Sequence, residues 1–251
     1  MSIKNYIRTC ANALGIDVTR YRPDRPGRNA FHDMKRFITT DTPLVFDVGA
    51  NIGQSVRKFR RYFPQSVIHA FEPGPNTFKT LCHETQNSTD LHLWNVALGA
   101  SLGELPLLEN SYSDMSSFLP LGESGWGRIV NETTVSVTTI DDFCLERCIQ
   151  YIDILKTDTQ GFDLEVFKGA ENAFLAKHVS AIYLEVILSR MYENLPSLPR
   201  IMEFLTRHGF RLVSFYDTHY QMNLASWTDA LFIHESILSN NSNVTPEKHG
   251  L

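Results

Sequence analysis

Short, nearly continuous apolar runs alternate along this chain with stretches of helical spacing. Leu44–Val48 (LVFDV) has the character of a strand buried on both faces. Gly53–Tyr62 follows with helical spacing, then Val67–Phe71 (VIHAF) as a second strand and Asn76–Glu84 as a second helix. Leu91–Leu98 reads as a third strand. Leu105–Glu109 and Thr134–Thr138 read as a hairpin with a long polar tip. Thr139–Cys148 is helical, with Thr139 as N-cap before Asp141 and Asp142. Ile152–Thr157 is the fourth buried run, Leu164–Phe174 a helix, and Ala181–Val186 the fifth run. Leu198–Arg207 is a helix stopped at Gly209. Phe210–Tyr216 and Ala230–His234 close the pattern as two antiparallel strands.

This alternation predicts an α/β fold: a doubly wound, Rossmann-like sheet with helices on both faces and an inserted β-hairpin. We expect a domain over 44–236, preceded by a basic helical arm and linker over 1–43 and followed by a disordered tail over 237–251. The arm carries eight Lys and Arg against four Asp, which leaves the rest of the chain at −9 within an overall −5. Within it, the proline-bearing RYRPDRPGR reads as a solvated connector or a docking surface for an anionic partner. The acidic balance argues against nucleic acid as a partner. No window approaches the roughly 20 apolar residues of a membrane span, and the first residues lack the apolar core of a signal peptide. Cys10, Cys82, Cys144 and Cys148 match no metal or redox spacing, and CxxxC puts the last two on one helix face. Reduced thiols and a cytoplasmic location are expected.

In such sheets ligands sit beyond the carboxyl ends of the strands. The first strand runs into Asp47-Val-Gly49-Ala50-Asn51-Ile-Gly53-Gln54, a glycine-bearing turn that opens a helix. A dinucleotide fingerprint would place a glycine where Asn51 stands. An acid beside the turn, Asp47, suits a ligand with an ammonium group, such as S-adenosylmethionine (SAM). The second strand ends in Glu72-Pro73, with Glu72 placed to accept both hydroxyls of a ribose diol. The third ends in Asn95-Val96-Ala97, where an adenine edge would lie and Asn95 could supply an amide contact.

Taken in order, VFDVGANIGQS, AFEP, NVALG, SSF, VTTIDDF, ILKTDTQGFDLEVFKGA and YLEV resemble the FkbM family of methyltransferases over roughly residues 40–235. The resemblance implies a class I methyltransferase sheet, SAM as cosubstrate, and O-methylation of a hydroxyl on a glycan or secondary metabolite. Where the family carries KxDxEG this chain has Gln160, and a later family Glu is Asp163. Little weight therefore falls on Gln160 and more on Asp158.

Methyl transfer from a sulfonium needs a positioned nucleophile, and a sugar hydroxyl also needs its proton taken or weakened. Asp158 and Glu185 stand near neighbouring strand ends, with Lys156 beside them, and form the candidate catalytic set. The two carboxylates could share a proton, hold Mg²⁺ or orient a hydroxyl, though no third convincing metal ligand is evident. Their structural alternatives are a helix N-cap for Asp158 and an ion pair with Lys156 for Glu185. Asp141 could cap its own helix or touch substrate. His219, in the connection between the last two strands, is a remote candidate base. Residues 110–130 and 188–196 could wall an acceptor, which is expected to be a small molecule or glycan. Two rival readings remain at this stage: a nicotinamide-dependent oxidoreductase and a non-catalytic SAM-binding protein.

Overall fold

The computed structural model describes residues 3–16, 18 and 25–238. Its elements, in chain order, are α1 (Ile3–Ala13), α2 (Ala30–Phe37), β1 (Leu44–Val48), α3 (Gln54–Tyr62), β2 (Val67–Phe71), α4 (Pro75–Glu84), β3 (Leu91–Trp94), β4 (Ala97–Leu98), β5 (Gly103–Asn110) and β6 (Ile129–Thr138). There follow α5 (Ile140–Glu146), β7 (Ile152–Thr157), α6 (Asp163–Lys168), α7 (Glu171–Leu175), β8 (Val179–Ile187), α8 (Leu198–Arg207), β9 (Phe210–Gln221), β10 (Leu224–His234) and α9 (Glu235–Leu238).

Seven strands form the central sheet in the order β3-β2-β1-β7-β8-β10-β9. The first five are parallel, and β10 enters antiparallel between β8 and β9. The apolar runs are buried because helices cover both faces, and successive residues of a strand serve opposite faces. In β1, Val45 joins the core beneath α2 and α3, while Phe46 and Val48 join the core shared with α5 to α8. The order reverses between β1 and β7, and that crevice is where ligands of such sheets bind. The inserted antiparallel strand departs from the dinucleotide-enzyme order, in which the sixth strand simply follows the fifth.

Several expectations shift. The expected third strand is two: β3 belongs to the large sheet, and β4 pairs with β6 in a separate three-stranded sheet. The inserted hairpin is longer than the apolar pattern indicated, with Gly103–Asn110 paired to Ile129–Thr138. The last two strands also lengthen into a hairpin closed by Met222 and Asn223, both at positive φ (47° and 63°). His219 therefore lies within β9 rather than in a connection. The polar run from Asp217 to Gln221 reads as a loop because this part of the hairpin is largely solvent-exposed.

Thr139 caps α5 as expected, accepting from Asp142 N–H at 2.9 Å. Asp141 caps α7 instead of its own helix: its carboxylate accepts from Asn172 and Ala173 N–H, both at 2.9 Å. Cys148 falls beyond the end of α5, so it does not share a helix face with Cys144. All four cysteines are free thiols.

The arm expected over 1–43 divides. Helix α1 buries no residue. Helix α2, by contrast, buries Ala30, Phe31 and Met34 against the sheet, with Ile38 behind it. Phe31 stacks on Tyr62 at 4.9 Å, and Tyr216 donates to the buried Asp33 at 2.9 Å. A boundary at 44 thus cuts through packed structure. Most of RYRPDRPGR and the tail from Ser239 lie outside the described residues, while 237–238 are helical. No helix among the described residues is long and apolar enough to cross a membrane.

Candidate functional site

The turn after β1 is held by its neighbours. Gly49 and Ala50 N–H both donate to Phe71 O at 3.0 Å. Lys156, the register partner of Asp47 on β7, lies 3.0 Å from the Asp47 carboxylate and donates to Gly49 O at 2.8 Å. Ser55 Oγ donates to the other Asp47 oxygen. Asp47 is fully buried, so the structure gives it to Lys156 rather than to a ligand's ammonium group. Burial alone would lower the Lys156 pKa, but Asp47 and Asp158 outweigh it and the net direction is upward. Lys156 is thus a fixed ammonium that braces the turn, not a base. Gly49 sits at φ +74°, and a Cβ there would stand 2.0 Å from Asp158 O. Glycine is required first by this close approach of two backbone segments.

At the end of β2, Glu72 is buried, with one oxygen accepting from Asn51 N–H (3.0 Å) and the other from Gly74 N–H (2.8 Å). Burial pushes its carboxyl up to about 7, against the opposing pull of those two hydrogen bonds and of Lys156. Each oxygen keeps a lone pair for a further donor. Glu72 lines a cleft of about 650 Å³ together with Gly49, Asn51, Pro73, Val96 and Ala97, and with Phe118 and Phe162 on its apolar side. A carboxylate beside an apolar slot is a suitable seat for a nucleoside, its diol on Glu72 and its base between the hydrophobic walls. Asn95 is absent from this lining. Its amide nitrogen donates to Glu72 O (2.8 Å) and Pro73 O (2.9 Å) and so braces the turn after β2. Gly53 begins α3 at φ +86° and lines neither cleft.

A second cleft of about 1100 Å³ adjoins the first, sharing Gly49, Asn51, Asp114, Asp158 and Gln160 with it. Ala50, Gln54, Lys58 and Phe31 line one side, and Trp126, Met191, His219 and Trp227 another. The residue given little weight, Gln160, is central. Its amide nitrogen donates to Asp158 (2.8 Å) and to Glu185 (3.0 Å), and its amide oxygen accepts from Tyr192 OH (2.8 Å). Ser117 Oγ secures the Gln160 carbonyl at 2.7 Å, and the backbone there is left-handed, φ +52° at Gln160 and +93° at Gly161. A non-glycine residue held in that region is costly and recurs at functional sites.

Two structural alternatives fall away. Asp158 caps no helix, since α6 begins after Phe162 without a side-chain cap. Lys156 is bound to Asp47 and approaches Asp158 at 3.8 Å; Glu185 is instead hydrogen-bonded by Gln160. Asp163 is buried at the start of α6, pushed up to about 6 by burial, and lines neither cleft. Sequence reasoning missed Asp229, which faces Glu185 directly across the β8–β10 pair and accepts from Tyr183 OH. Burial raises the pKa of both carboxyls, and Asp158 raises each further. The only local signal for Asp229 was an acid interrupting the apolar end of the last strand. His219 stacks on Trp227 at 4.7 Å, and Trp126 lies 5.7 Å from the same indole. Among the described residues no three His, Cys, Asp or Glu are arranged to hold a metal ion. The Gln160 amide occupies the position between the two carboxylates, so the Mg²⁺ reading has no ligand set.

Residues 47–212 match the family model described as Methyltransferase FkbM domain. The 2-O-methyltransferase NoeI of Sinorhizobium fredii is 26% identical over 184 residues, 68% of this chain and 74% of that protein. The 31-O-demethyl-FK506 methyltransferase FkbM of Streptomyces tacrolimicus is 25% identical, over 69% of this chain and 75% of its own. The hexuronic acid methyltransferase AglP of Haloferax volcanii is 28% identical, over 57% of this chain and 55% of its own. Among solved structures, the METTL16 MTase domain is similar in fold, with TM-score 0.50 and 11% identity over 81% of this chain and 66% of that one.

Proposed function

This chain belongs to the FkbM methyltransferase family, and from that premise we propose that it moves a methyl group from SAM to a hydroxyl of a glycan or secondary metabolite, using Asp158, Gln160 and Glu185. Membership in that family decides against the oxidoreductase. When bound, SAM supplies an electrophilic methyl on a good leaving group. The rest of the chemistry falls to the chain's own side chains. Glu72 would hold the ribose diol, and Pro73, Val96 and Ala97 would flank the base. The Gly49–Asn51 turn would border the methionine end, its shape kept by Lys156 and Asp47.

The observation that carries the catalytic reading is that Asp158 lines both clefts and is tied through one amide to Glu185. At that junction an acceptor hydroxyl would meet a carboxylate as the methyl group is transferred. Burial raises the pKa of Glu185, with the neighbouring Asp158 charge adding to it, so Glu185 is the natural holder of a proton shared within the pair. Asp158 would accept the hydroxyl proton, and Gln160 would keep the two apart and correctly turned. Small-molecule or glycan acceptors fit the acidic balance of the chain better than nucleic acid does. Four free cysteines favour a cytoplasmic setting. We place α2 inside the catalytic domain, which then extends ahead of position 44. Incubating the full chain with methyl-labelled SAM and fractionated cell extract tests the reading: label should enter a hydroxyl as an alkali-stable ether. No transfer by a protein that binds SAM would favour the non-catalytic rival.

A further inference from the structure

The second cleft has a chemical character of its own. Among the described residues, four carboxyl groups line it: Asp114, Asp158, Glu185 and Asp229. Two ammonium groups line it as well, but Lys156 is committed to Asp47 and to Gly49 O, which leaves Lys58 to face an occupant. Among the described residues no arginine is in the lining, although a guanidinium fork is the usual means of seating a carboxylate or phosphate. One oxygen of Glu185 has no hydrogen-bond partner among the described residues, and the half-buried side chain lines the cleft. Beside these acceptors, Trp227, two residues before Asp229 on β10 and stacked on His219, and the neighbouring Trp126 add aromatic surface to the lining.

From this we infer that the acceptor is a polyhydroxylated ring bearing no acidic group, a neutral or amino sugar, and that uronates and phosphorylated rings are rejected. The inference rests on the methyl-transfer reading above and deepens it. Hydroxyl protons have carboxyl oxygens to meet, and the less polar face of a sugar ring has the indoles to lie against. An amine substituent would gain from the acidic lining. An acidic substituent would set a negative charge against this carboxyl-lined wall, even with one proton held on Glu185, in a partly enclosed space where charges interact more strongly than in water. The relative named for hexuronic acid makes the distinction informative, since the same family includes a protein whose name specifies an acidic sugar.

The test uses the full chain, methyl-labelled SAM and oligosaccharides released from cell extract, separated into neutral, amine-bearing, uronate and phosphorylated pools. Label per mole of saccharide should be at least about tenfold higher in the neutral and amine-bearing pools than in the acidic ones. Reducing the uronate carboxyls to alcohols should recover acceptance. Asp229→Asn, which still accepts from Tyr183 OH, should narrow the discrimination by roughly threefold or more. Equal or greater labelling of the acidic pools would overturn the inference while leaving methyl transfer intact, as would label confined to non-saccharide molecules. Failure to bind SAM at all would instead overturn the methyl-transfer reading beneath it.

Discussion

The substitution Glu72→Gln separates the cofactor reading from packing. In the free protein, burial holds the Glu72 carboxyl at about 7 instead of 4.5. The folded state therefore binds this proton more tightly than the unfolded chain. Stability contributed by the group is full below about 4.5 and falls by about 3 kcal/mol as pH rises to 7. A ribose diol would donate two hydrogen bonds to the ionised form, so SAM binding should favour loss of the proton. With a free-protein pKa near 7, the ionised fraction rises about tenfold between pH 6 and pH 8, and affinity should rise by about the same factor. Glutamine has one acceptor oxygen, and its amide nitrogen would face either Asn51 N–H or Gly74 N–H. Loss of a charge-assisted bond costs about 1.5–3 kcal/mol, or roughly 10- to 150-fold in Kd. The variant should also lose the pH dependence. Its Tm at pH 8 should hold or rise, because relief of about 3 kcal/mol of buried charge offsets one orphaned backbone donor, worth about 1–3 kcal/mol. Calorimetric titration with SAM from pH 6 to 8, beside thermal melts, reads all three quantities. A wild-type affinity flat across that range, or a variant that binds as tightly as wild type, would refute the assignment of the diol to Glu72.

Asp158→Asn should lower kcat about 100- to 10,000-fold while SAM affinity changes little; full turnover with weakened SAM binding would place the residue on the cofactor instead. Gln160→Leu should lower kcat as well, because it removes the amide joining Asp158, Glu185 and Tyr192, and Gln160→Asn, too short to span them, should not rescue it. Wild-type rates should be indifferent to EDTA, and loss of activity restored by Mg²⁺ would show that a ligand set forms on substrate binding. Phe31→Ala should cost about 3–5 kcal/mol, on the order of 10 °C in Tm, whereas deletion of 1–16 should leave the melt unchanged, α1 being without a buried residue.

The features legible in the sequence are those set by near neighbours. A continuous apolar run specifies a doubly buried strand, and a glycine-bearing turn after it specifies where a helix opens, so the five parallel strands and the Gly49 and Glu72 turns could be located from the chain alone. The order of motifs then indicated the family. What tertiary structure decided depends on partners far apart in the chain. Asp47 looks like a ligand residue until Lys156, 109 positions on, is found beside it on the adjacent strand. Gln160 looks like a lost acid until its amide is seen between Asp158 and Glu185. Asp229 joins the site only because β10 enters the sheet antiparallel next to β8, in a register that sets it opposite Glu185. Phe31 belongs to the core only because α2 folds back on the sheet. Local pattern fixes whether a residue faces inward. Which group it meets there depends on strand order and register, and these are settled by packing across the whole sheet.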